Sequence, residues 1–292
     1  MPPLNVGRRL PRAGDEAGGV EELEPPDRRE PCRSHFFPLE DSVLIAPTAV
    51  TSESQVPVLR VTGLTKRYGD EHAIDCVTFT ASSGEVVGII GPNGAGKTTL
   101  LETVVGLVSV DAGEVSWHGE PLPASQRRNA LFYLPDGVRP YRDAATSQVV
   151  SFFAGVYRRS KAETADTINS VGLRPVLHKR VHALSKGYNR RLLLALALLA
   201  PHPVLLMDEP FDGFDLRQTH EIVDLLRTEA ARGRTFILAI HQLADAERVC
   251  DRLILLAAGR VRGSGTLDEL RAQTRLPAGS LEDIFLALTQ DI

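Results

Sequence analysis

Residues Gly91-Pro-Asn-Gly-Ala-Gly-Lys97-Thr98 constrain this chain more than any other stretch of comparable length. They fit the spacing G-x-x-x-x-G-K-[ST], with the apolar run Val86–Ile90 before them and the helix-forming Leu100-Leu-Glu after them. A glycine-rich turn between a strand and a helix lets several backbone N–H groups face one anion, and the helix N-terminus adds its partial positive charge. Lys97 then places a point charge on the β- and γ-phosphates of a nucleotide, and the Thr98 hydroxyl offers a hard oxygen to Mg²⁺. Gly91, Pro92, Asn93, Gly94, Ala95, Gly96, Lys97, Thr98 and Thr99 are the expected phosphate-binding residues. A chance glycine-rich turn would share the letters without the flanking strand and helix.

Far downstream, Val204-Leu-Leu-Met207-Asp208-Glu209 reads as an apolar strand that ends in two carboxylates. Such a strand delivers them to the sheet edge where nucleotides bind. Asp208 is expected to hold Mg²⁺ directly or through water, and Glu209 to polarise the attacking water as general base. An Asp after a strand also caps helices, but Pro210 and Phe211 follow here where a helix would have to start.

The surrounding pattern is α/β. Short β-branched runs at Val58–Thr62, Val77–Ala81, Val86–Ile90, Val204–Met207, Phe236–Ile240 and Leu253–Leu256 alternate with helical stretches, which predicts a partly parallel sheet. Strand signals vanish between about Ala144 and Ala200, so a helical insertion is expected, drawn as a subdomain over about 137–200 of a catalytic domain spanning 57–292. Residues 1–56 hold eight of the 19 prolines together with charge clusters. They cannot bury enough apolar area to offset their ordering entropy, which predicts a disordered N-terminal extension.

Composition narrows the setting. A net charge of -4 gives no basic footprint for nucleic acid, and none is expected as a partner. No stretch approaches the roughly 18–20 apolar residues of a membrane-spanning helix; Leu192–Ala200, the richest run, reads as a buried helix. Pro47 interrupts Val43–Val50, so that patch does not read as a signal peptide. Cys32, Cys76 and Cys250 lack the paired spacings of zinc sites or disulfide frameworks and read as thiols. A cytoplasmic location is expected, with any membrane pore on a separate chain.

Taken together, the motifs resemble the ATP-binding cassette ATPases over nearly all of residues 57–292. Leu64-Thr-Lys-Arg-Tyr68-Gly is similar to the family's adenine-stacking segment, with Tyr68 as the stacking ring. Ser83-Gly-Glu-Val resembles the lead-in to the phosphate loop, Asp212-Gly-Phe-Asp215 the loop after the acidic pair, and Ala239-Ile-His241 the segment of the switch histidine that reaches the γ-phosphate. Leu184-Ser185-Lys186-Gly187-Tyr188 stands where the family carries Leu-Ser-Gly-Gly-Gln; Ser185 and Gly187 match, Lys186 and Tyr188 depart. Cys250–Gly265 and Leu281-Glu-Asp-Ile-Phe-Leu resemble the closing strands and tail helix, an ending similar to that of members serving bacterial exporters.

The resemblance implies a P-loop NTPase core with an antiparallel β subdomain and a helical insertion, which binds and hydrolyses ATP with Mg²⁺. It also implies a second cassette subunit, identical or not, whose Ser185 and Gly187 equivalents complete the site, and an integral membrane permease on another chain. Through that permease the protein would sit on the inner face of the cell membrane. Two other classes compete: a soluble cassette ATPase in assembly or regulation, and an unrelated P-loop enzyme such as a kinase, against which the signature segment and His241 argue.

One departure bears on chemistry. Leu134-Pro-Asp136-Gly places an acid where the family carries a Gln that senses Mg²⁺. Either Asp136 is itself a metal-site residue, or Pro135-Asp136-Gly137 is a turn whose side chain points away from nucleotide. A third carboxylate near triphosphate, Asp208 and Glu209 requires a compensating cation or basic group.

Overall fold

A computed structural model describes residues 57–290, so the extension expected over 1–56 lies outside the described residues. Strands β1 (Leu59–Tyr68), β2 (Glu71–Ala81), β4 (Ala112–Trp117) and β5 (Glu120–Pro121) form an antiparallel sheet in the order β2-β1-β4-β5. Strands β3 (Val86–Ile90), β6 (Leu131–Leu134), β7 (Val204–Asp208), β8 (Thr235–Ile240), β9 (Arg252–Ala257) and β10 (Arg260–Gly265) form a second sheet in the order β10-β9-β3-β8-β7-β6. It is parallel except for the β9–β10 hairpin.

Near-continuous apolar strands are what a parallel sheet covered on both faces demands. Alternate side chains enter two cores. Val86, Ile90, Leu205, Met207, Phe236, Leu238 and Ile240 pack on the face covered by α5 (Lys186–Leu199), α6 (Leu216–Ala231) and α7 (Leu243–Val249). Val87, Ile89, Leu206, Ile237 and Ala239 face α1 (Lys97–Val105) and the antiparallel sheet. The period-two alternation therefore divides one apolar sequence between two hydrophobic layers.

Between β6 and β7 the chain carries α3 (Thr146–Val156), α4 (Lys161–Ser170), two 3₁₀ turns at Arg174–Val176 and Val181–Ala183, and then α5. The segment contains an isolated bridge, Ala145 to Arg180, but no strand among the described residues. Every residue from Arg190 to Leu199 is buried, as the apolar run suggests, and the Leu side chains bury about 1.5–3 kcal/mol each. Helices α2 (Ala124–Arg127), α8 (Leu267–Thr274) and α9 (Leu281–Thr289) complete the described chain, and none of its helices is long and apolar enough to cross a membrane.

Several boundaries differ from expectation. β1 runs to Tyr68 and β2 begins at Glu71, because the two strands continue into a polar, exposed ribbon that apolar patterning cannot reveal. Cys250 is a free thiol whose titration burial pushes upward.

Gly88 in β3 marks a close approach. A Cβ there would lie 2.5 Å from Cys250 Sγ and 3.3 Å from Leu253 Cδ2. Gly88→Ala is expected to cost about 1–3 kcal/mol through overpacking and to lower Tm by several degrees. The double variant Gly88→Ala/Cys250→Ala should recover most of that loss. Thermal unfolding of the three proteins checks it; a Gly88→Ala protein that melts with the wild type would show that β3 is not wedged against Cys250.

Candidate functional site

The phosphate loop leaves the central strand β3 and enters α1 through three glycines with defined tasks. A Cβ on Gly91 would lie 2.1 Å from Leu256 O, so no side chain fits under the strand end. Gly94 and Gly96 take φ of 81° and 100°, the left-handed region, and a Cβ on Gly96 would meet Ala73 O at 2.2 Å. Ala95 is buried against the core beneath the loop. Lys97, 7% exposed, donates from Nζ to Gly91 O at 2.8 Å and to Pro92 O at 3.3 Å, so the ammonium spans the inside of its own loop.

Strands β7 and β8 bring the acidic pair and the histidine to the same edge. Thr98 Oγ1 donates to Asp208 Oδ2 at 2.6 Å. Asp208 is 4% exposed, and its carboxyl titrates above the ordinary range, chiefly because burial disfavours its charge. The Thr98 hydrogen bond opposes that shift, Asp136 reinforces it, and Lys97 and Arg190 oppose it. Glu209 follows immediately with φ of 49°, a left-handed turn that swings its side chain out of the strand direction. Its carboxylate lies 4.0 Å from Lys97 Nζ and accepts from the His241 backbone N–H at 3.3 Å, with His241 Nδ1 in close hydrogen-bond contact.

A cavity of about 320 Å³ joins these groups, lined by Ala73, the loop residues Pro92, Asn93, Gly94, Gly96, Lys97, Thr98 and Thr99, and by Asp136, Asp208 and Glu209. Asp136 thus belongs to the cavity wall, and Gly137 beside it has the left-handed φ of 74° that a Pro-Asp-Gly turn requires. The turn forms and the carboxylate still reaches the site. Its compensating group is Arg190 of α5, whose Nη2 donates to Asp136 Oδ1 at 2.7 Å. Sequence reading gave Arg190 no role; the partners stand 54 positions apart, so no local pattern could have paired them.

Other expected residues stand apart in this single chain. Tyr68, 54% exposed, ends β1 with Lys66 Nζ 5.4 Å from its ring centre, and it does not line the cavity. Ala73, on the paired strand β2, does line it and carried no sequence signal. Ser185 caps α5 by accepting from Tyr188 N at 3.3 Å. Gly187 is buried where a Cβ would meet Gln218 Oε1 at 2.8 Å. Neither signature residue reaches the cavity. Lys186, the departure between them, donates to Asp212 Oδ1 at 2.9 Å and lies over Gly213. That bond holds the Asp212 carboxyl below its usual range.

The donor set suits Mg²⁺. Hydroxyl and carboxylate oxygens of Thr98, Asp208 and Asp136 are hard ligands, and Mg²⁺ characteristically takes one or two protein oxygens and completes its shell with water and phosphate. Among the described residues no group of three or more His, Cys, Asp or Glu side chains could hold a metal by itself.

Residues 74–212 match the model of the ABC transporter family. The chain is 36% identical over 213 residues to the Nod factor export ATP-binding protein I of Rhizobium etli strain CFN 42, covering 71% of this chain and 67% of that protein. To the protein of the same name from Rhizobium meliloti strain 1021 it is 35% identical, over 76% of this chain and 68% of the relative. A solved ATP-binding subunit of an ABC transporter superposes with a TM-score of 0.72 at 32% identity, covering 80% of this chain and 99% of that one.

The raised titration of Asp208 has a consequence for stability. A carboxyl that titrates higher when folded than its unfolded value near 3.9 binds more protons in the native state. Its ionised form therefore detracts from stability above that range, and the deficit disappears once both states are protonated. In nucleotide-free, metal-free protein, Asp208→Asn should melt higher than the wild type at pH 7, and the gap should close as pH falls toward about 3. Melting curves across pH check this; a lower-melting Asn variant at neutral pH would show that the carboxylate is a net stabiliser.

Proposed function

The chain belongs to the ATP-binding cassette family of ABC transporters, and from that premise we propose that it is the Mg-ATP-hydrolysing motor of an exporter whose membrane-spanning permease is a separate chain. The observation that carries the reading is the meeting, at the ends of β3, β7 and β8, of Lys97 and Thr98 with Asp208, Glu209 and His241. In the proposal Lys97 transfers its hydrogen bonds from the loop carbonyls to the β- and γ-phosphates. Thr98 and Asp208, with Asp136 facing them, hold Mg²⁺, which would supply charge neutralisation on the phosphate oxygens.

Glu209 accepts a proton from the attacking water, and His241 fixes the carboxylate through Nδ1 while its other ring nitrogen faces the γ-phosphate. Tyr68 stacks on the adenine. Ser185 and Gly187, outside the cavity of their own chain, complete the site of a second cassette; this supports a homodimer or heterodimer closed around two nucleotides. Export is favoured by the relatives, which are named as export ATP-binding proteins. On this reading the protein is held at the cytoplasmic face of the membrane by its permease, and membrane co-purification should recover a partner with spans of roughly 20 apolar residues.

Lys97→Ala is expected to weaken ATP binding, whereas Glu209→Gln should bind ATP normally and hydrolyse it at least about 100-fold more slowly. With Mg-ATP the Gln variant should elute as a dimer in size-exclusion chromatography. Normal turnover by Glu209→Gln would remove Glu209 from the base role, and a variant that stays monomeric at high concentration would count against the two-site sandwich. For Asp136, ATPase rate titrated against Mg²⁺ at fixed ATP should shift in midpoint for Asp136→Ala; an unshifted curve would remove Asp136 from the metal site.

A further inference from the structure

Asp136 adds a third carboxylate to a cavity that must accept a polyanion. Arg190 is its direct partner, yet the guanidinium is 6% exposed whereas the Asp136 side chain is half exposed. The arginine is therefore fixed in the interior and the carboxylate comes to it. Arg190 Nε also donates to Asp212 O at 3.2 Å, and Nη2 lies 3.9 Å from Asp212 Oδ2. Asp212 in turn receives Lys186 Nζ at 2.9 Å. Two cations and two anions thus alternate from the start of α5 to the cavity wall, joining α5, the loop after β7 and the turn after β6. Nη1 of Arg190 is buried with no hydrogen-bond partner. A charge kept from water in this way is tolerable only with its anionic partners in place.

We infer that Arg190 is a positioning residue that makes the acid at position 136 compatible with a nucleoside triphosphate, by offsetting its charge from within α5. The inference rests on the nucleotide reading of the cavity. A neutral side chain at 136 would need no such partner; a carboxylate there without Arg190 would face Asp208, Glu209 and the phosphates uncompensated. The pair acts on binding of the anion before any metal is involved.

The test is a double-mutant cycle read by equilibrium titration of the full chain with fluorescent ATP and ADP analogues in EDTA, alongside melting temperatures. Arg190→Gln should weaken ATP binding about tenfold and ADP binding less, with the loss shrinking at high salt, as expected of one uncompensated charge. Asp136→Gln should bind ATP at least as tightly as the wild type, and the double variant should return to within about twofold of it. If Arg190 were only a structural strut, Arg190→Gln would lower Tm, lose ATP and ADP alike and gain nothing from Asp136→Gln; that pattern overturns the inference. Should Arg190→Gln fail to fold, Arg190→Lys decides the matter together with Asp136→Gln. The inference expects the first to keep the wild-type preference between ATP and ADP and the second not to weaken ATP binding, and the opposite result in either overturns it. A wild type that binds no ATP would instead remove the nucleotide reading itself, whereas wild-type binding untouched by Arg190 variants would remove the inference alone.

Discussion

β3 lies between β8 and β9, with Val86 opposite Phe236 and Val87 opposite Arg252, and all five of its residues are buried. The parallel pairing sets the height at which the chain leaves the sheet, and the steric limits at Gly91 and Gly96 then bring the loop back against Leu256 O and Ala73 O. Those two backbone contacts place the start of α1 within hydrogen-bond reach of the end of β7, where Thr98 meets Asp208. The site depends on sheet register: a slip of one residue would turn every side chain of β3 to the other core.

The same geometry explains why charge gathers here. Strands feeding a common edge deliver their terminal side chains into one small space, and burial penalises whichever of them is ionised. Asp208 accepts that penalty, with partial relief from Thr98. Glu209 takes a left-handed backbone conformation, and its carboxylate meets His241. Asp136 receives a buried guanidinium. Three acids at one edge are thus held by three different means: a hydroxyl, a histidine and an arginine.

Legibility in the sequence followed the range of the interaction. Val86–Ile90, Val204–Met207 and Phe236–Ile240 were readable as strands because burial on both faces demands unbroken apolar runs, and the phosphate loop because its chemistry is local. β4, Ala-Gly-Glu-Val-Ser-Trp, and β6, Leu-Phe-Tyr-Leu, escaped notice because one is mixed in polarity and the other only four residues long. The need for a basic group beside Asp136 followed from electrostatics alone, but its identity did not. That partner is brought in by the packing of α5, which only the folded chain displays.

The pairing of β3 also has a bearing on how the protein is made. Both neighbours of this strand lie roughly 150 residues later in the chain, whereas β1, β2 and β4 find one another within a span of about sixty. During synthesis the antiparallel sheet can form early, but Val-Val-Gly-Ile-Ile must wait with both edges open until β8 and β9 leave the ribosome. A ribosome at typical speeds of about 5–20 residues per second would keep that apolar segment waiting for on the order of ten to thirty seconds. The strand that anchors the phosphate loop is thus the one whose unpaired edges a chaperone would have most reason to shield.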